Sequence, residues 1–362
     1  MDVPNRDMSM HHENHPDTGA TRIAPARHAR RPDLGRIAAL VAFVAVMPGL
    51  SGAARAAAPS LRCAATDRLP AQDVVRLAPG VWLLRGAAGD TTEANRGAIS
   101  NLLAVRDGAR LWLVGSGPSP AHGRRVACTL RAVAGRAVTD LIAPWPRPEL
   151  VLGQAAWPQA RRWAHADVAA AMRTRCPGCI ERLGRRLGGA SGDLGDGRPA
   201  WPTRLLHGDA GRLGPWSWTR LARGHGTPVT VWRLPRLGLA AAHGLLWGDG
   251  APDLRDGERA VIAASLARLR DGSAGCRAGW VPEQGPMLGC DAPAAHLDYL
   301  DALVRAVAGA QARGALETDA PEPARLPVPA RAEAAVRHDL NWQHVWREEE
   351  AGAFGDPAAA RP

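Results

Sequence analysis

The sequence predicts an α/β fold in which two β-sheets are sandwiched between helices. Three observations predict it. Short apolar or alternating runs punctuated by turn residues cluster at 74–114 and again at 202–242. A β-α-β unit reads out between residues 111 and 142. Amphipathic helical stretches follow each cluster of strands, so the order is strands, βαβ, helix, strands, helix, strand, helix.

The elements follow in chain order. Val74–Leu77 and Val81–Arg85 flank Pro79-Gly80 and read as two strands with a tight turn. A glycine-bearing loop covers 86–97. Ile99–Val105 and Leu111–Val114 flank Asp107-Gly108 and read as a second hairpin. Gly115-Ser116-Gly117-Pro118-Ser119 ends that strand. Pro120–Ala134 is helical in spacing, with Val126, Leu130 and Val133 on one face, and Val138–Ile142 is a short strand. Leu150–Ala156 and 165–188 read as helix, and 189–200 as a loop rich in Gly and Asp. Strands return at Pro202–Leu206, Trp216–Ala222, Val229–Leu234 and Leu237–Ala242. A helix over Ala260–Arg270, a strand at Trp280-Val281 and a helix over His296–Ala312 complete the domain. Pro321, Pro323, Pro327 and Pro329 mark a linker over 319–330, before a last helix over Ala332–Glu350.

The chain has 362 residues and a formal charge of +10. Every basic residue is arginine, and the arginines are spread along the chain instead of massed on one segment. No basic stripe interleaved with aromatics is present, so a nucleic-acid ligand is not expected. Arg30, Arg31 and Arg36 precede an apolar run from Ile37 to Met47, which Pro48-Gly49 breaks. Small residues follow, with Ala54-Arg55-Ala56 and Ala56-Ala57-Ala58 as cleavage candidates. This is the layout of a secretory signal, and the run is too short for an ordinary membrane span of roughly 20 residues. An uncleaved signal anchor is the competing reading. The expected organisation is an amino-terminal extension and signal over 1–58, one domain over 59–318, and linker plus carboxy-terminal helix over 319–362. The expected location is periplasmic or secreted, with no membrane span after cleavage. His11, His12 and His15 lie upstream of the signal, where a metal-binding tail competes with a plain polar extension.

Six cysteines follow the signal, an even number that fits disulfides in an exported chain. Cys276 and Cys290 flank a short segment and make a plausible pair. Cys176-Pro177-Gly178-Cys179 is a CxxC, read as a structural disulfide, with a redox role as the alternative.

Leu77-Ala78-Pro79-Gly80-Val81-Trp82, Asn95-Arg96-Gly97-Ala98-Ile99-Ser100-Asn101 and Leu113–Ser119 resemble the opening of metallo-β-lactamase-fold hydrolases. Arg175–Cys179, Pro252-Asp253-Leu254-Arg255-Asp256-Gly257 and the tail Asn341–Glu348 are similar to the quinoprotein relay system zinc metallohydrolases. The resemblance covers roughly 74–350. It implies a metallo-β-lactamase-type αββα sandwich, a zinc hydrolase, and a partner that is a quinoprotein dehydrogenase or its cytochrome.

Such hydrolases hold zinc with an H-x-H-x-D-H loop, whose nitrogen and oxygen donors suit Zn²⁺ and turn a bound water into hydroxide. Here the loop reads Trp145-Pro146-Arg147-Pro148-Glu149-Leu150. Trp145 and Arg147 stand at the first two histidine positions, Glu149 at the aspartate and Leu150 at the third histidine. Gly115 stands where a strand-end aspartate is usual. His225 keeps the next histidine. His243 lies where the bridging aspartate is absent, and Gln284 stands at the last histidine. Two readings follow. In one the zinc motif has degenerated, Arg147 and Glu149 pair in the old metal pocket, and the protein binds a small ligand or assists a partner without a cofactor. In the other Glu149, His225 and His243, with or without His207, hold one metal ion, zinc, and the hydrolase is rebuilt.

Overall fold

The computed structural model describes residues 63–319 and 332–353, without the side chains of 332–335 and 353. The expected signal segment, the amino-terminal histidines and most of the expected linker lie outside the described residues. The strands are β1 (Val74–Ala78), β2 (Val81–Leu84), β3 (Leu102–Asp107), β4 (Arg110–Val114), β5 (Asp140–Ala143), β6 (Arg161–His165), β7 (Arg204–Leu206), β8 (Ala210–Leu213), β9 (Trp216–Ala222), β10 (Pro228–Leu234), β11 (Leu239–Ala241) and β12 (Gly279–Val281). The helices are α1 (Pro120–Ala134), α2 (Pro148–Val151), α3 (Ala166–Leu187), α4 (Arg259–Asp271), α5 (Ala292–Ala312) and α6 (Ala332–Ala353).

β1 to β7 form one seven-stranded sheet in chain order, antiparallel up to β4 and parallel beyond it. The second sheet has the order β12-β11-β10-β9-β8, with only β11 and β12 parallel. The period of two along each strand sorts side chains into two cores. Val81 and Leu83, Leu103 and Val105, Trp112 and Val114 point into the core between the sheets, where they meet Trp216, Trp218, Trp232 and Leu234. Their neighbours Trp82 and Leu84, Leu102 and Ala104, Leu111 and Leu113 point the other way, into the core shared with the helices. Each central strand is therefore buried on both faces, and reads as a continuous apolar run.

Several predicted bounds shift. β3 begins at Leu102, because Ile99 and Ser100 belong to a turn in which Ile99 N–H bonds Gly97 C=O. α5 begins at Ala292, since Pro293 fits the first turn of a helix. Val133, expected on the buried face of α1, is 44% exposed; the buried stripe runs through Gly123, Ala127, Leu130 and Ala134. β6 is not anticipated by the sequence. Arg161 and Arg162 give it no apolar pattern, and it is held instead by Arg161 to Asp140 at 2.7 Å and Arg162 to Trp201 C=O at 2.9 Å.

Cys276–Cys290 forms as expected, and Cys63–Cys128 ties the start of the domain to α1. On chain-entropy grounds such links contribute about 3 and about 4 kcal/mol. Cys176 and Cys179 do not bridge; both are free and buried. The motif falls in the middle of α3, with both thiols buried. Burial pushes the Cys176 thiol up to about 12 and raises Cys179 as well.

His296 shows how α5 is fixed. Its Nδ1–H donates to Ala292 C=O at 2.8 Å and its Nε2 accepts from Trp247 N–H at 3.1 Å. A second ring proton would face an N–H donor, and burial holds the pKa down to about 4. The unfolded chain takes that proton near 6.5, so the stability this ring contributes is complete above 6.5 and is lost as the pH falls to about 4. The full effect is on the order of 3 kcal/mol. Urea unfolding followed between pH 7 and 4 should show stability falling, with His296→Gln, which can make both bonds without titrating, removing that share of the slope.

Candidate functional site

The loop after β5 is anchored across the sandwich. Pro144 C=O accepts from Thr230 N–H at 2.7 Å and from Thr230 Oγ1 at 2.9 Å. Pro148 then opens α2, whose Leu150 is fully buried and whose Leu150 C=O accepts from Ser116 N–H at 2.6 Å. Gly115, with φ of +77°, lets this approach happen: a Cβ there would lie 2.7 Å from Leu102 Cδ2 and 2.8 Å from Leu150 Cδ2. The loop thus presents Trp145, Arg147 and Glu149 to one floor.

Two carboxylates organise that floor. Glu149 accepts from Thr91 Oγ1 at 3.0 Å and pairs with Arg147 Nε at 3.2 Å. Glu283, fully buried, accepts from Ser100 Oγ at 2.6 Å, Trp145 Nε1 at 3.0 Å and Gly244 N–H at 3.1 Å. Arg147 Nε lies 3.9 Å from it. Burial opposes the Arg147 charge, but Glu149, Glu283 and Asp253 outweigh it and hold its pKa above the ordinary guanidinium value.

A second guanidinium, Arg223 of the β9–β10 turn, is 1% exposed. Its Cζ lies 4.9 Å from the Trp145 ring centre and 5.3 Å from that of Trp247. It donates to Gly244 C=O and, at 2.5 Å, to Asp253 C=O. Burial lowers its pKa to about 10, so it stays cationic at neutral pH. Arg255 supplies the third, gripping Asp253 at 2.7 and 2.9 Å and Asp90 at 3.0 Å. Although burial opposes it, this grip holds Asp253 well below the usual carboxylate range.

The expected metal residues are scattered. His243 is fully buried, and its Nε2–H donates to Asn101 C=O at 2.8 Å, leaving Nδ1 without a partner. Burial lowers its pKa, so the ring is neutral. His225 sits at a φ of +48° on an exposed turn, its Nδ1 3.2 Å from Glu258. His207 is exposed beyond β7. Gln284 faces elsewhere, with Oε1 accepting from Arg337 Nη2 at 3.0 Å. Among the described residues no three His, Cys, Asp or Glu side chains are grouped to hold a metal ion.

No family model matches the chain, and no curated protein sequence matches it. Solved structures do match. The metallo-β-lactamase FIM-1 of Pseudomonas aeruginosa, solved in a mono-zinc form, superposes with a TM-score of 0.51 at 16% identity, over 63% of this chain and 94% of that one. The chain has the metallo-β-lactamase fold. The metallo-β-lactamase of Erythrobacter litoralis matches with a TM-score of 0.51 at 18% identity, over 64% of this chain and 98% of that one. That of Hirschia baltica matches with a TM-score of 0.50 at 13% identity, over 63% and 96%.

Zinc is the metal this fold brings to mind, and the residues here do not fit it. Trp145 and Leu150 offer no donor, and Arg147 is a permanent cation. Glu149 is already engaged by Arg147 and Thr91. The buried Arg223 guanidinium lies against Trp145, so positive charge is supplied by side chains. Sequence reasoning missed Glu283, Arg223 and Asp90. In Pro282-Glu283-Gln284-Gly285 the resemblance points to Gln284, one residue from the carboxylate that organises the floor. Asp253 and Arg255 lie in a run whose likeness the sequence shows and whose role it does not.

Proposed function

We propose that the chain is a catalytically degenerate, exported protein of the metallo-β-lactamase fold that works by binding and not by zinc-dependent hydrolysis. The observation that carries this is the Arg147–Glu149–Glu283 cluster, built on the loop at which the sequence resemblance expects the metal motif. Arg147 and the neighbouring Arg223 set two positive charges against its two carboxylates, and each carboxylate oxygen there already has a protein donor. Beside it opens a cavity of about 630 Å³, large enough for a small-molecule ligand. The partner we propose is a periplasmic quinoprotein dehydrogenase or its cytochrome; the sequence resemblance supports that part, together with the signal-like segment. Among the described residues no helix is long and apolar enough to cross a membrane.

Metal content by mass spectrometry, on protein purified from the periplasm without chelators, tests the reading. Zinc well below one per chain is expected, with an unfolding transition that added zinc does not move. Zinc near one per chain, lost in Glu149→Gln or His225→Ala, would overturn it in favour of a rebuilt mononuclear hydrolase.

A further inference from the structure

One wall of the cavity is a face of α3. Arg175, Cys179, Arg182 and Arg186 succeed one another at spacings of four, three and four, which stacks them along one side of the helix. The opposite walls carry Trp145, Pro146, Pro148, Arg147 and Arg255. Five arginines line the space against three carboxylates, Glu149, Asp253 and Asp256. Arg147 and Arg255 are taken up by Glu149, Asp253 and Asp90. The three cavity-lining arginines of α3, Arg175, Arg182 and Arg186, are not taken up.

Their bonds are to neutral groups. Arg175 donates to Thr227 Oγ1 and, at 2.6 Å, to His225 C=O, which fixes its guanidinium at the rim. Arg182 Nη2 lies 3.3 Å from Cys179 Sγ. Arg182 also reaches back over Gly178, where a Cβ would sit 3.4 Å from Nη1. Among the described residues none of the three has a carboxylate within ion-pair distance. The same helix does pair an arginine on its other side, where Arg185 meets Glu181 at 2.6 Å. Arg182 and Arg186 are like charges four apart, an arrangement that costs an isolated helix about 0.2–0.5 kcal/mol. Three guanidinium groups without a carboxylate partner thus share the cavity face, over about 16 Å of helix.

We infer that this cavity binds a metabolite-sized organic polyanion, with two or more carboxylate or phosphate groups engaging Arg175, Arg182 and Arg186. Guanidinium forks match the paired oxygens of either group. The inference builds on the reading of the cavity as a binding site, and specifies what it takes. Trp145, Pro146, Pro148 and Leu183 give the ligand's carbon skeleton an apolar surface.

Titration calorimetry at low ionic strength with benzene-1,3,5-tricarboxylate and with fructose 1,6-bisphosphate tests it, benzoate and glucose serving as controls. One or both polyanions should bind, and which one does separates carboxylate from phosphate ligands. Both controls should bind at least ten-fold more weakly. The double variant Arg182→Gln/Arg186→Gln, at exposed positions where folding is not at stake, should weaken binding at least ten-fold. Arg131→Gln/Arg136→Gln removes the same charge far along the chain on α1 and its following turn, and should leave binding intact. Binding by neither polyanion, or an equal loss in both double variants, would overturn the inference. Zinc content measured on the same sample keeps the two readings apart: polyanion binding by a zinc-loaded chain sinks only the metal-free function, and no binding by a zinc-free chain sinks only this inference.

Discussion

Glu283→Ala is expected to lower unfolding stability by about 3–5 kcal/mol, the range for removing one partner from a buried charged network. The carboxylate is fully buried and satisfies three donors, Ser100 Oγ, Trp145 Nε1 and Gly244 N–H. Alanine strands all three in a site with no replacement acceptor, and leaves Arg147 and Arg223 with one anion fewer. Glu283→Gln keeps the shape but turns an NH₂ group toward donors, so an intermediate loss is expected. Urea unfolding at pH 7 measures both. A loss below about 1 kcal/mol for the alanine variant would mean that water reaches these donors and that the floor is not the closed network described.

Arg337→Ala is expected to cost a similar 3–5 kcal/mol. Arg337 grips Asp249 through two bonds, at 2.9 and 3.1 Å, and donates to Ala251 C=O at 2.8 Å and Gln284 Oε1 at 3.0 Å. Both charges are almost wholly buried, 4% and 2% exposed. Removing the cation leaves Asp249 an uncompensated buried anion. The double variant Arg337→Met/Asp249→Leu removes both charges and should recover most of the loss, because a buried pair replaced by apolar groups of like size is often neutral. A double variant no more stable than Arg337→Ala would show that the bonds to Ala251 and Gln284, and not the ion pair, carry the effect.

Much of the fold is legible in the sequence because its strands are buried on both sides. Trp216–Ala222 and Pro120–Ala134 match their predicted bounds. β6 escapes notice because it is held by arginine bonds at a half-exposed position, where hydrophobic period gives no signal. In the site, that Trp145, Arg147 and Leu150 offer a metal no donor is visible from residue type alone. The charge network around them is not, because it is assembled from distant segments: Asp90, Arg223, Asp253 and Glu283 come from four different loops. A one-residue choice also matters, since Glu283 turns inward while Gln284 turns to α6. The CxxC misleads for a related reason. Spacing names a pair of thiols, but it does not say that both lie unbridged and buried inside one helix.

The reach of α6 sets an order on how the molecule is completed during synthesis. Asn341 bonds Pro252 C=O at 2.6 Å and accepts from Leu254 N–H at 3.3 Å, on either side of Asp253, while Arg337 holds Asp249 and Gln284. Every one of these contacts spans more than 50 residues. The seven-stranded sheet needs nothing beyond Leu206 to pair its strands. A growing chain can therefore complete one sheet well before it can close the floor of the cavity, which waits for residues 337 and 341 to emerge. Until then the loops bearing Asp253 and Glu283 lack their outer brace, and the charges at the centre of the molecule are the last to be sealed from water.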